Sequence, residues 1–228
     1  MEQHRHDDLS PAIRASFENG NRLLDDSQNL LEYGRFPTAY ALSILAQEEY
    51  AKTFFLYLVQ TGAIPWNADI RRVLRDHTCK QLLATIMEYV KFEWEVDMAK
   101  IRLRVASKFP AHIADALNII RHEKVPREDA SSWLWDDESP CDKQARGVAD
   151  GIIDKQKQNA LYVGLAKTGQ ISSTPLAITE KEAKIEYEKG DRLREIFHKT
   201  GENIEPLETI EYKKISDAFK ILFSVHDS

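Results

Sequence analysis

The fold is decided by the stretch YGRFPTAYALSILAQEEYAKTFFLYLVQ, which runs from Tyr33 to Gln60. At 3.6 residues per turn this segment is apolar almost all the way round, and only its middle carries polar side chains. These polar residues are Gln47, Glu48, Glu49 and Lys52. Because a helix that is apolar on every side is typically buried at the centre of its bundle, the sequence predicts a helical protein built around this segment.

The charged residues of this helix fall where the surrounding pattern requires core. Burying a charge costs free energy unless the charge is paired and hydrogen-bonded. The i,i+4 spacing of Glu48 and Lys52 predicts one ion pair, which leaves Glu49 in need of a partner from elsewhere in the chain. Two explanations of Glu49 stay open at this point: it meets an arginine of another helix and only fixes packing, or it takes part in a functional site.

The segments next to the central helix predict further helices. Ser10 and the proline after it are typical of a helix start, and a helix from there to about Tyr33 is expected to pack antiparallel to the central one. Residues 67–109 again show helical spacing. A break is expected at Asp76–Thr78, because aspartate and threonine offer the backbone competing hydrogen bonds. Further helices are predicted over residues 111–121 and 142–161.

The last part of the chain predicts a short extended element followed by two helices. Residues 162–178 place β-branched and aromatic side chains around a Lys-Thr-Gly turn, which is typical of a small hairpin. Thr179 and Glu182 then form a capping-box pattern at the start of a charged helix that is predicted to reach about Thr200. A final helix is predicted over about residues 208–225.

These elements place the chain in the all-α class, as a single domain over residues 1–228 with a core of about 10–121 and a C-terminal extension of about 142–228. The net charge of −6 argues against a general nucleic-acid coat protein. No run of apolar residues is long and uncharged enough to predict a membrane span, and the polar N-terminus lacks a secretory signal. Cys79 and Cys141 lie far apart without metal-type spacing, which favours a reducing cytoplasm. We expect neither a metal nor another cofactor.

The segment RRVLRDHTCK, residues 71–80, carries the candidate chemistry. The imidazole of His77 can exchange a proton at neutral pH. The guanidinium of Arg71 or Arg72, one helical turn or more before it, can neutralise a phosphate and its developing negative charge. Together these groups suffice for metal-free cleavage of RNA, in which a base activates the 2′-hydroxyl. The alternative explanation is a basic turn exposed on the surface.

A second segment shows the same Arg-to-His spacing. Arg192 and His198 lie in the late charged helix, where we expect both to be exposed to solvent. Glu195 and His198 also form an E-x-x-H motif of the kind that di-iron bundles use. Such a site needs two of these motifs and two further glutamates, and the sequence contains only one motif. A di-iron site is therefore not favoured.

Three features in a fixed order resemble the AbiV family of phage abortive-infection proteins, which belongs to the HEPN superfamily of helical domains. They are the EE-x-x-K motif of the central helix, the H-x-x-K motif after it, and a late K…LYV…G…P…EA element, and they extend over roughly residues 18–185. The matching residues are Glu48, Glu49, Lys52, His77, Lys80, Lys157, Tyr162, Val163, Gly169, Pro175, Glu182 and Ala183.

The resemblance implies a HEPN-like helical bundle that works as a homodimer in a bacterial antiphage system. HEPN ribonucleases typically carry an arginine, four to six further residues and then a histidine, and the two copies of this motif meet at a dimer interface. Either Arg71 or Arg72 stands at such a distance from His77. In this reading His77 is the general acid or base, and one of the two arginines binds the phosphate.

The remaining candidate residues have supporting roles in the same reading. Lys80 adds positive charge near the phosphate, and Glu48, Glu49 and Lys52 orient the cations from the central helix. The implied function is a cytoplasmic effector that arrests translation as a metal-independent ribonuclease or RNA-binding toxin, with a phage-encoded protein as its activator or target. The alternative is a non-catalytic HEPN dimer, in which the same residues form a buried ion network and the protein binds a phage or host protein.

Overall fold

The computed structural model describes residues 8–62, 66–91, 147–148 and 150–206. These residues are mostly helical and include two small antiparallel strand pairs, which confirms the all-α class. The predicted helices at 111–121 and about 208–225 lie outside the described residues. The elements are α1 (Ser10–Glu32), α2 (Phe36–Gln60), α3 (Ala68–Val73), α4 (His77–Lys91), α5 (Ile152–Leu161), β1 (Gly164–Leu165), β2 (Ile171–Ser173), α6 (Glu180–Arg194), β3 (Phe197–Thr200) and β4 (Asn203–Pro206).

Helices α1 and α2 pack antiparallel along their whole length, as predicted. Their connection is three residues long, and Gly34 takes a positive φ of 68° in it. In the half of the pair nearer this connection, the hydroxyl groups of Ser27 and Ser43 are 2.8 Å apart in a buried hydrogen bond. Small serines at this position allow the two backbones to approach closely, so α1 and α2 form the base on which the other helices pack.

Helix α2 is the central element of the described structure. It packs against α1, α4, α5 and α6, and most of its side chains are buried, including the large Tyr50, Phe54 and Phe55. Contact on nearly every side explains why its sequence is apolar around the whole circumference. None of the helices that the structure describes combines the length and the hydropathy of a membrane-spanning segment.

The predicted break in the third helical segment is present. Helix α3 ends at Val73 and α4 begins at His77. Asp76 occupies the turn between them, and its carboxylate accepts a hydrogen bond of 2.9 Å from the backbone N–H of Cys79. This side-chain bond satisfies a backbone donor of the first turn of α4, so Asp76 acts as a helix cap. The cap fixes the first residue of α4, His77, on the side of the helix that contacts α2.

The C-terminal part is partly as predicted. The capping box of Thr179 and Glu182 starts α6, and β1 pairs with β2 in the expected hairpin. However, α6 ends at Arg194, so the prediction of a helix to Thr200 was wrong. The chain instead forms the antiparallel pair β3–β4, because the apolar side chains of Phe197 and Ile204 are buried in the core from these two strands.

Gly20 is required by the packing of α1 on α2, and Gly20→Ala tests this. A Cβ atom there would lie 2.7 Å from Cε1 of Tyr50, whose ring is buried and whose hydroxyl donates to Asn21 Oδ1 at 2.8 Å. Alanine would by itself favour a helix over glycine by about 1 kcal/mol. We nevertheless expect the free energy of unfolding in urea to fall by about 1–3 kcal/mol, because the fixed ring cannot move away. Exposed Glu18→Ala on the same helix should change it by less than about 0.5 kcal/mol.

Candidate functional site

The carboxylate of Glu48 is the centre of a buried polar cluster between α2, α4 and α5. Its side chain is 2% exposed. Oε1 accepts hydrogen bonds from Lys157 Nζ at 2.7 Å and from Gln81 Nε2 at 2.9 Å. Oε2 lies 2.5 Å from His77 Nδ1 and 3.2 Å from Lys80 Nζ. Both oxygens of one buried acid are therefore bound by groups from two other helices.

Helical geometry explains how α4 supplies three of these groups. His77, Lys80 and Gln81 are at positions i, i+3 and i+4, which lie on one face of a helix. That face packs against α2, so Lys80 and Gln81 are buried while His77, at the first position of α4, keeps 52% of its side chain exposed. The cluster thus extends from the core to the surface through His77.

The charge state of Glu48 follows from its surroundings. Burial by itself raises the pKa of a carboxylic acid, because it removes water from the charged form. The hydrogen bond from His77 and the positive charges of Lys157 and Lys80 outweigh this effect and lower the pKa of Glu48 to about 2. Glu48 is consequently ionised at any physiological pH and can only accept hydrogen bonds.

The ionised Glu48 determines which ring nitrogen of His77 carries a proton. Two acceptor atoms cannot lie 2.5 Å apart without a proton between them, so Nδ1 of His77 must donate to Oε2 of Glu48. A neutral imidazole that is protonated on Nδ1 has its lone pair on Nε2. His77 therefore has the form of a base that is oriented by a carboxylate, with its second nitrogen on the part of the ring away from Glu48.

Lys157 is the group of this cluster to which the sequence analysis assigned no role. Its Nζ contacts Glu48 Oε1 at 2.7 Å and Asp154 Oδ1 at 2.9 Å, and it lies 3.2 Å from His77 Nδ1. Glu48, His77 and Asp154 offer ligand atoms within 4.8 Å of one another, as a metal site would. The ammonium of Lys157 already lies between the two carboxylates of this group, so the cation that Glu48 and Asp154 bind is a lysine of the chain.

The predicted pairing within α2 was wrong. Glu49 pairs with Lys52 at 2.6 Å, whereas Glu48 pairs with residues of α4 and α5 and not with Lys52. Glu48 and Glu49 differ by about 100° around the helix, and it is Glu48 that faces the two neighbouring helices. Glu49 and Lys52 are partly exposed and form an ion pair with each other, so neither of the two explanations offered for Glu49 is needed. The remaining polar residue, Gln47, donates to Glu186 Oε2 at 3.0 Å.

The two arginines of the predicted site lie on the surface. Arg71 and Arg72 are exposed residues of α3, one helical turn or more before His77. Among the contacts of the described residues, neither guanidinium is hydrogen-bonded to His77 or paired with Glu48. The structure thus brings His77, Lys80 and Glu48 together, and the role of Arg71 or Arg72 stays a prediction.

Cys79 lies close to this site and is not a candidate nucleophile. Its side chain is buried, and burial together with the negative charge of Asp76 raises the pKa of its thiol to about 12. A thiol in this state is almost entirely protonated at neutral pH, and only the thiolate reacts.

The second Arg-to-His pattern does not form a comparable site. Arg192 and His198 are both half-buried, so the expectation that they are exposed was wrong. Glu195 follows the last residue of α6, and His198 belongs to β3. The E-x-x-H motif therefore does not lie on one helix, as the di-iron proteins require.

Comparison with known proteins gives one match. A HEPN family model described as AbiV matches residues 8–193. The match includes α1 to α5 and all of α6 except its last residue, and therefore every residue of the Glu48 cluster. Neither a curated protein nor a solved structure is significantly similar to the chain.

Proposed function

The chain belongs to the AbiV family of the HEPN superfamily, a family of abortive-infection proteins, and from this membership we propose that it arrests translation in infected cells as a metal-independent endoribonuclease. The observation that supports the chemical part of this proposal is the buried Glu48 carboxylate bound to Nδ1 of a half-exposed His77. A histidine held in this way can accept a proton on Nε2 from a substrate in solution.

In the proposed reaction, Nε2 of His77 takes the proton of an RNA 2′-hydroxyl. The 2′-oxygen forms a bond to the adjacent phosphorus, the bond from phosphorus to the 5′-oxygen breaks, and that oxygen takes a proton from water. The products carry a 2′,3′-cyclic phosphate and a 5′-hydroxyl. Glu48 stabilises the imidazolium that forms on His77, because its ionised carboxylate lies 2.5 Å from Nδ1.

The positive charge for the phosphate comes from the surface residues near His77. Lys80 is 8% exposed and paired with Glu48, so it is not available to an RNA strand. Arg71 and Arg72 are exposed, and His77 stands at the N-terminus of a 15-residue helix, where the backbone favours anions. We therefore assign phosphate binding to Arg72 or Arg71 and give Lys80 the task of orienting Glu48. In a homodimer two such surfaces would act on one RNA.

A non-catalytic function remains the second candidate, and one observation favours it. The cluster of Glu48 with Lys80 and Lys157 connects three helices and would stabilise the fold without any chemistry. In that case the protein acts by binding a phage or host protein, and no RNA is cleaved under any condition.

The His77→Gln variant separates the two candidates. We expect RNA cleavage in the presence of EDTA by the wild-type protein, and a rate lower by about 10²–10⁴-fold in the variant, because general acid–base catalysis contributes about this factor. The measurement is the rate of appearance of 2′,3′-cyclic phosphate ends, first in RNA incubated with each purified protein and EDTA, and then in RNA from a bacterial host that expresses the same protein during phage infection.

The control is His198→Gln, which replaces a half-buried histidine outside the cluster and should leave the rate unchanged. Equal cleavage by wild type and His77→Gln, at equal folded fractions in both, removes His77 from the reaction. Absence of cleavage by every protein during an infection that the wild type blocks supports the binding function instead.

A further inference from the structure

The β1–β2 hairpin and the residues on either side of it expose much apolar surface. Every large apolar residue within 161–176 is more than 40% exposed. These residues are Leu161, Tyr162, Val163, Leu165, Ile171 and Leu176. Leu165 and Ile171 are paired across the two strands, so their side chains lie on the same face of the hairpin. Single exposed apolar residues are common on protein surfaces, whereas a group of this size marks a site of interaction.

Charge is almost absent from the same segment. Residues 161–178 include one charged residue, Lys167, whereas the chain's average of 30% would give about five. The helices before and after the segment are charged, since α5 carries Asp154 and Lys155 and α6 begins with Glu180. Depletion of charge within an apolar surface is typical of the core of a protein interface rather than of a surface that stays in water.

The backbone of the hairpin is also open to pairing with a further strand. Among the described residues, β1 and β2 have only each other as neighbours, so the outer edge of each strand has no strand partner. Exposed edge strands usually carry charged residues or proline, which prevent association. Strand β2, Ile171–Ser173, carries neither. Another strand could therefore extend this sheet through main-chain hydrogen bonds.

The size and the charge of this surface fit a second copy of the chain. The six residues expose roughly 600 Å², at about 150 Å² or more for a large side chain, which approaches the 800 Å² or so that each partner buries in a stable complex. The net charge of −6 makes two copies repel one another, except where acidic residues are absent, and residues 161–178 contain none. An uncharged surface is complementary to itself, as a two-fold interface requires, whereas a basic partner would need acidic residues there.

We infer that the β1–β2 hairpin and its flanking residues form the interface at which two copies of the chain associate about a two-fold axis. Ile171, on the open edge strand, and its cross-strand partner Leu165 lie at the centre of the buried surface. This inference goes beyond the proposed ribonuclease function and does not depend on it, because no residue of the Glu48 cluster belongs to the hairpin.

The test is the mass of the protein in solution, measured by sedimentation as a function of concentration. We expect the wild type to be dimeric at micromolar concentrations. Ile171→Asp should raise the dissociation constant about 100-fold or more, because a carboxylate without a partner would be buried in the interface. The variant should fold, since Ile171 is 66% exposed in the single chain. Leu176→Asp, at the most exposed of the six residues, serves as the second variant where Ile171→Asp does not fold.

Ile185→Asp is the matched control, because it makes the same substitution at an exposed isoleucine of α6, outside the hairpin. It should leave the dissociation constant unchanged. Three results would each overturn the inference: a wild type that is monomeric at every concentration, a folded hairpin variant that is as dimeric as the wild type, or equal dissociation of the hairpin variant and Ile185→Asp. None of these measurements involves RNA, so their outcome is separate from that of the His77→Gln experiment.

Discussion

Glu48→Gln is expected to lower the free energy of unfolding by about 3–5 kcal/mol, the usual cost of removing one partner from a buried ion pair. The substitution keeps the shape of the side chain and removes its charge. Lys157 and Lys80, which are 6% and 8% exposed, then remain buried next to a neutral amide. In addition, the glutamine amide offers one acceptor atom in place of two. Either Lys157 and Gln81, which donate to Oε1, or His77, which donates to Oε2, would then face an NH₂ group.

Glu49→Gln is the matched control, because it removes the same charge from the next residue of the same helix. Glu49 and Lys52 are 16% and 28% exposed in their side chains, and their pair joins two positions of α2 alone. We expect a loss of at most about 1 kcal/mol there. Chemical denaturation at pH 7 measures both values. A Glu48→Gln variant as stable as Glu49→Gln would mean that the buried cluster does not stabilise the fold.

The second large effect is a loss of stability in acid that belongs to Glu48. Its pKa falls from the ordinary value of 4.5 to about 2 in the folded protein. Because the folded state binds this proton less tightly than the unfolded state, the stabilisation is fully present above pH 4.5 and is lost as the pH falls towards 2. A shift of this size corresponds to about 3 kcal/mol.

This effect is measured as the difference between wild type and Glu48→Gln at several pH values. The difference in free energy of unfolding should be largest at neutral pH and should shrink as the pH falls below 4.5, because a protonated glutamate resembles glutamine. Comparison of the two proteins removes the contribution of all other carboxylates. A difference that stays constant from pH 6 to pH 3 would contradict the lowered pKa of Glu48.

The fold could be predicted from the sequence where local signals decide it. The all-round apolar pattern of α2 identified the central helix, Ser10 and the proline after it marked the start of α1, and Thr179 with Glu182 marked the start of α6. The β3–β4 hairpin was missed, because Phe197 and Ile204 are apolar residues in a short charged context that also suits a helix. Their burial against the core overrides that local preference.

The candidate site could be predicted only in part. That buried charges of α2 need partners followed from their pattern, and His77 and Lys80 were recognised by their chemistry. Which of the two neighbouring glutamates faces the core depends on how α2 is rotated about its own axis relative to the helices beside it. A helix that is apolar on every side has no polar face from which this rotation could be predicted. Lys157 is separated from Glu48 by 109 positions, so no local spacing signals the contact. The sequence indicated only that α2 has two adjacent glutamates and a single lysine, Lys52, at pairing distance, so that one glutamate needs a cation from elsewhere in the chain.

The separation between Lys157 and the rest of the cluster also bears on how the protein is made. Lys157 follows His77 by 80 positions in the chain. A ribosome therefore completes α4 well before Lys157, the α5 residue that pairs with Glu48, has been added. A nascent or prematurely terminated chain lacks this contact, so synthesis itself delays the assembly of the site until α5 has been translated. Completion of the Glu48 cluster is therefore a late event in the synthesis of the chain.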